Sequence, residues 1–277
     1  MKAKHLFILL DTFTQDEEVI GSGLGLATKY SGSCYTVSRV WLNPEAQKIT
    51  QVVSETTNSG KSSDQFPNRV GIYIITHMNI VFQLSGGVGH IASLICDYLD
   101  SRSDLGIDCS QLDKLVLMSC VGSDGLKEKF TDPETLKEMN KHAQKQDRYY
   151  LEYQKAMQPW DSKRQEYLDG LTKSYEKSPD DFVGSALTGP GATMVQLACA
   201  LDRRGAHPKI AAWDSGIYGR NDGKKSIRND PMNPILRHQR LINKVMIQFS
   251  RPSSSSGGSI RQLGLQEWSD KPLNLPK

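Results

Sequence analysis

His77 and Cys120 are the residues of this 277-residue chain whose types and surroundings best suit catalysis. Each stands just past a short apolar run: 70–76 (VGIYIIT) before the histidine, and 115–118 (LVLM) shortly before the cysteine. Runs of this kind read as strands buried on both faces. Between them Val88, Ile91, Ala92, Ile95 and Leu99 recur at the three-and-four spacing of an amphipathic helix. A strand, a crossover helix and a second strand form a parallel unit whose strands end on one edge of the sheet, where the functional groups of open α/β sheets gather. Neighbouring strands would therefore bring His77 and Cys120 within about one strand spacing, the geometry that a thiol nucleophile and its base require.

Other chemistries are poorly supported. No GxSxG elbow is present, which argues against the common α/β serine hydrolases. The six histidines (His5, His77, His90, His142, His207, His238) show neither HExxH nor cysteine partners at zinc spacing, so no metal site is expected. Glycine-rich 21–25 (GSGLG) lacks the Gly-Lys-Ser/Thr ending of a phosphate loop and reads as a turn. Residues 85–89 (SGGVG) read as a flexible connection at the edge where His77 stands. No cofactor is implied.

Composition sets the frame. With 38% hydrophobic and 23% charged residues the chain is an ordinary globular one, and a formal charge of +3 is too small to argue for nucleic acid or a membrane as partner. Cys34, Cys96, Cys109, Cys120 and Cys199 show no CxxC spacing and are odd in number, which suggests a reducing compartment with Cys96 and Cys199 as buried apolar residues on helices. The opening MKAKHLFILLDTF carries too short an apolar run for a signal peptide or a membrane span. A cytoplasmic protein is expected, or one secreted without an N-terminal apolar signal.

The elements that must position the pair are read in order. Residues 5–10 form a first buried strand ending at Asp11, and 35–42 (YTVSRVWL) a second nearer an edge. Polar, Ser- and Thr-rich 51–68 reads as a surface loop. Residues 124–181 carry many charges of both signs and two helical stripes separated by Pro159, which predicts an inserted helical hairpin. A helix over 191–203, a turn at 205–208 and a strand over 209–213 ending at Asp214 make one more α/β repeat. A basic segment with Arg220, Lys224, Lys225, Arg228, Arg237 and Arg240 follows, then a late strand over 245–249. The fold class is thus α/β, with helices around a mainly parallel sheet and an inserted α-helical hairpin. The chain divides into 1–123 and 185–250 as two parts of one core, 124–184 as the charged insert and 251–277 as a flexible tail.

The order strand, His, helix, strand, Ser-Cys resembles the caspase-like (clan CD) cysteine peptidases, among them caspases, gingipains, clostripain, separase and the self-cleaving protease domain of large bacterial toxins. ITHMN around His77 and LVLMSCVGS around Cys120 carry the resemblance, and 191–216 is similar to the family's next helix and strand. It implies a caspase-like sandwich and a thiol endopeptidase, nearest in pattern to the bacterial effector and toxin-like members, with Cys120 as nucleophile and His77 as its acid and base. The oxyanion would be bound by the backbone N–H groups of Met78 and Cys120. The family usually has glycine where this chain has Met78, whose side chain would be expected to crowd that pocket.

The resemblance also implies that strand-end groups read the substrate residue before the cut. By position these are Asp11 and Asp214, which would favour Arg or Lys. Caspase-like enzymes are often matured by a cut after the nucleophile, so the Lys- and Arg-rich insert following Cys120 is a candidate for autoprocessing. The basic segment near Lys224 is either a solvated surface or a site for an anionic activator, as inositol hexakisphosphate is for the toxin domains. The partner expected is a protein or peptide substrate. A different class of function is a catalytically inactive caspase-like scaffold that binds a protein through the helical insert.

Overall fold

The computed structural model describes residues 1–11, 17–43, 48–76, 87–118, 149–184, 192–213, 217–219, 225–227, 244–251 and 257–268. Strand β1 (Ala3–Asp11) lies at the heart of the sheet because alternate residues serve opposite faces. Leu6, Ile8 and Leu10 join the core beneath helix α1 (Glu17–Tyr30), while Phe7 and Leu9 join the core on the other face. That second face is covered by α2 (Gly87–Ser101) and α5 (Ala192–Asp202), together with α3 (Tyr149–Lys177) and α4 (Pro179–Gly184).

The remaining strands are β2 (Cys34–Asn43), β3 (Lys48–Thr57), β4 (Val70–Ile75), β5 (Leu112–Met118), β6 (Lys209–Trp213), β9 (Lys244–Ser250) and β10 (Ser259–Gln262). A separate two-stranded antiparallel pair is formed by β7 (Ile217–Gly219) and β8 (Lys225–Ile227). The eight-stranded sheet has the order β10-β9-β6-β5-β4-β1-β2-β3. Strands β2, β1, β4, β5 and β6 run parallel, and β3, β9 and β10 are antiparallel to their neighbours. The fold is therefore α/β with a mixed, mostly parallel central sheet. In α2 the stripe Val88, Ile91, Ala92, Ile95 and Leu99 is buried as its spacing requires, each large side chain contributing about 1.5–3 kcal/mol.

Several expectations are corrected. GSGLG lies inside α1 rather than in a turn, because the helix needs small residues where it crosses β1: a Cβ on Gly23 would fall 2.6 Å from Leu10 Cδ2. In the same way Gly87 and Gly89 belong to α2, and Gly89 lies against Val183. Polar 51–57 belongs to edge strand β3, whose Thr and Val residues suit a half-solvated strand better than a loop. Helix α3 continues through Pro159, and further along it Arg164, Leu168, Thr172 and Tyr175 are buried, so this half is core rather than a solvated arm. Past the Ser- and Gly-rich run, β10 adds a strand to the sheet, and the short helix α6 (Leu265–Trp268) brings Trp268 beneath Lys244, 4.1 Å from the ring centre. What was expected as a loose tail thus begins with a hairpin return.

Cysteine usage differs as well. Cys96 of α2 is joined to Cys109, just before β5, in a disulfide with a Cα separation of 4.8 Å. Both residues are buried, so Cys96 is a crosslink from the crossover helix to the start of the next strand rather than an apolar filler.

Candidate active site

The carboxyl ends of three parallel strands are aligned here by register. Leu10 of β1 pairs with Ile75 of β4, which pairs with Met118 of β5. All six residues of β4 are buried, as a strand between two neighbours beneath helices must be, so its path leaves little freedom before it ends. The next residue, Thr76, ties the three ends together. Its N–H donates to the Met118 carbonyl at 3.1 Å, extending the β4–β5 ladder by one step. Its hydroxyl donates to Oδ2 of Asp11 at 2.7 Å, reaching the last residue of β1. Asp11 is 0% exposed and Thr76 6% exposed, so this bond is made out of water, where a hydrogen bond is electrostatically stronger than in solvent.

His77, Met78, Cys120 and Asp214 lie outside the described residues. The described chain leads up to three of them: His77 follows Thr76 directly, Cys120 comes two residues after the end of β5, and Asp214 follows the last residue of β6. Strands β4 and β5 are adjacent and parallel, as the sequence reading required. Of the two carboxylates expected to read a substrate, Asp11 is described, and it holds a residue of its own chain. Sequence reasoning passed over Thr76, although a polar residue closing an otherwise apolar strand was the available signal.

The other cysteines are poor nucleophiles. Cys96 and Cys109 are spent in their disulfide. Cys34 and Cys199 are buried free thiols, and burial pushes both thiols up from their ordinary range, away from the reactive thiolate. Nor is either described alternative histidine with a defined partner suited to act as base. His5 is buried on β1, its Nδ1 2.8 Å from the Thr36 hydroxyl, with burial first and then Lys4 and Arg102 lowering its pKa to about 4. His207, bonded to Asp202, stands where the chain enters β6, at the end of the parallel strands opposite Thr76.

Among the described residues no group of three or more His, Cys, Asp or Glu side chains is arranged to hold a metal ion, and no helix is long and apolar enough to cross a membrane. Compared with known proteins, the chain matches no family model and no curated protein.

Proposed function

We propose that the chain is a caspase-like cysteine endopeptidase with a His77–Cys120 dyad. The observation that carries this reading is the adjacency of β4 and β5, parallel and in register to Ile75 and Met118, so that the two reactive residues follow neighbouring strand ends. The state of the other cysteines supports it, since none of the four described offers an accessible, activated thiol.

In the proposed reaction the Cys120 thiolate attacks the scissile carbonyl carbon, forming a C–S bond and a tetrahedral oxyanion held by the N–H groups of Met78 and Cys120. His77, as imidazolium, gives its proton to the leaving amine as the C–N bond breaks, which leaves a thioester. Water, losing a proton to His77, attacks the thioester and releases the acid and the thiol. Asp214, which follows β6 directly, is the proposed reader of a basic residue before the cut.

The test compares wild type with Cys120→Ala and His77→Ala on a positional peptide library, with mass spectrometry of the protein's own termini to detect self-cleavage. Loss of cleavage by roughly a thousandfold or more in both variants is expected. Cleavage that survives Cys120→Ala would overturn the assignment. Should the wild type itself cut nothing, with Cys120 no more readily alkylated than Cys199, the inactive scaffold becomes the better reading.

A further inference from the structure

We propose that Thr76 is a positioning residue for His77, and that Asp11 serves this clasp rather than reading the substrate. The proposal rests on the peptidase reading and adds to it a residue outside the dyad. Three observations carry it. Thr76 is bonded to two different strands through two different groups, its N–H to β5 and its hydroxyl to β1. Both ends of the hydroxyl bond are buried, so water does not readily replace it. Thr76 is also the residue immediately before His77, and consecutive Cα atoms are about 3.8 Å apart, so whatever fixes its backbone fixes where the histidine starts.

The fold needs such a fastening at this point. At the end of β4 the regular ladder stops, and the chain must leave the sheet along a defined path if the following side chain is to face the end of β5. A bond to β5 alone would fix the strand spacing and leave rotation about it free. A second bond toward β1, on the opposite side of β4, removes that freedom. Threonine suits the role because its branched side chain restricts χ1 and so holds the hydroxyl in one direction. Asp11 suits it because a fully buried carboxylate requires a donor. A carboxylate turned inward onto Thr76 is also poorly disposed to meet an arginine or lysine of a substrate.

The proposal separates three variants. Thr76→Val keeps size and branching but removes the hydroxyl, Thr76→Ser keeps the hydroxyl, and Asp11→Asn keeps an acceptor oxygen while replacing the carboxyl group. In Thr76→Val, kcat on the preferred peptide falls about tenfold to a hundredfold with KM held, the scale of loss from a slightly misplaced catalytic group. The pH profile of Cys120 alkylation in the same variant moves toward that of an unassisted thiol. Thr76→Ser restores both, and Asp11→Asn retains the preference for basic peptides. If Thr76→Val does not fold, Thr76→Ala takes its place, since it introduces no atom into the space.

The outcomes are distinguishable. If wild-type Cys120 is alkylated no faster than an ordinary exposed thiol, the dyad falls and the clasp with it. If wild type reacts fast and Thr76→Val has the wild-type kcat and alkylation profile, the clasp alone is overturned. Loss of basic preference in Asp11→Asn, with cleavage of other peptides kept, would likewise overturn it and return Asp11 to the substrate.

Discussion

At the end of the sheet where the parallel strands begin, a buried carboxylate is held from three directions. Asp202, its side chain 2% exposed, accepts a two-pronged bond from Arg251 (2.8 and 2.7 Å), a bond from the Tyr175 hydroxyl (2.8 Å) and a contact from His207 Nε2 (2.8 Å). Its partners come from α3, from the approach to β6 and from just past β9, and they fasten elements far apart in sequence. At the other end Asp11 is just as buried, but its Thr76 partner sits on the strand that leads into His77. The two sites contain similar groups and differ in what lies next in the chain. At the strand starts the buried acid fastens elements of the fold to one another, whereas at the strand ends the clasp also sets the path of a residue proposed to do chemistry.

The largest effect that would sharpen this contrast is at Asp202. Replacing it with alanine leaves the buried Tyr175 hydroxyl without its acceptor and releases the half-exposed Arg251 guanidinium to solvent, a cost of about 2–4 kcal/mol in all, most of it from the unsatisfied hydroxyl and the lost packing. Thermal unfolding should report a loss of that order. Below the lowered Tm, the alkylation rate of Cys120 should remain that of wild type. A fall in that rate at a temperature where the variant is folded would mean that the two ends of the sheet are coupled and the contrast is false. Burial pushes the Asp202 carboxyl up, but the bonds from Arg251, His207 and Tyr175 outweigh this and hold it below its ordinary range. Stability from this network is therefore present above the unfolded carboxylate pKa of about 3.9 and is lost as pH falls through the lower folded value.

A smaller effect, in a separate pH window, comes from His5 near the start of β1. Burial first, then Lys4 and Arg102, lower its pKa to about 4, against the opposing pull of Glu55 and Asp104. Between about 6.5 and 4 the unfolded chain binds a proton that the folded chain refuses, so stability falls as pH falls, by on the order of 3 kcal/mol across the whole window. Urea unfolding at pH 7.5 and pH 5 should show a loss of roughly 2 kcal/mol in wild type and a clearly smaller one in His5→Gln. Equal losses in the two proteins would remove His5 from the account.

The strands with continuous apolar runs were legible in the sequence because burial on both faces leaves no other composition open to them: β1, β4, β5, β6 and β9 were read nearly in place. The adjacency of β4 and β5 followed from the amphipathic crossover between them. What escaped depended on partners distant in sequence. Glycines 21, 23 and 25 have the composition of a turn until the Leu10 side chain that Gly23 must clear is known. Strand β3 and strand β10 are polar because each stands at an edge of the sheet among the described residues, so their period is masked by solvent-facing Thr, Ser and Gln. Pro159 is a breaker by local rule, yet α3 continues past it into a region that Leu168 and Tyr175 anchor to the core. At the candidate site the reactive types were legible and the clasp was not, because a threonine after a strand acquires meaning only from the aspartate ending another.

The smallest effect concerns how the β10 side of the sheet is closed, and it also bears on whether the strand ends are insulated from distant damage. An edge strand offers unpaired peptide groups, and here α3 supplies side chains where a further strand would stand. Gln165 Nε2 donates to the Ile260 carbonyl at 2.7 Å, its Oε1 accepts from the Gln262 N–H at 3.1 Å, and the Thr172 hydroxyl accepts from the Ile260 N–H at 3.3 Å. A glutamine amide fits because it carries one donor and one acceptor group, as a peptide does. Gln165→Ala should cost about 1–2 kcal/mol in urea unfolding, two part-buried hydrogen bonds at ordinary worth. Amide exchange at Gln262 should speed up while that of Val116 in β5 does not, and Cys120 alkylation should be unaltered. Gln165→Glu provides the finer measurement, since it keeps an acceptor for Gln262 but loses the donor to Ile260, so Gln262 protection should survive while stability still drops. If Gln262 exchanges at the wild-type rate in Gln165→Ala, the side chain is not the closing strand-mimic inferred from its bonds, and β10 is held by its pairing with β9 and by the Thr172 bond to Ile260.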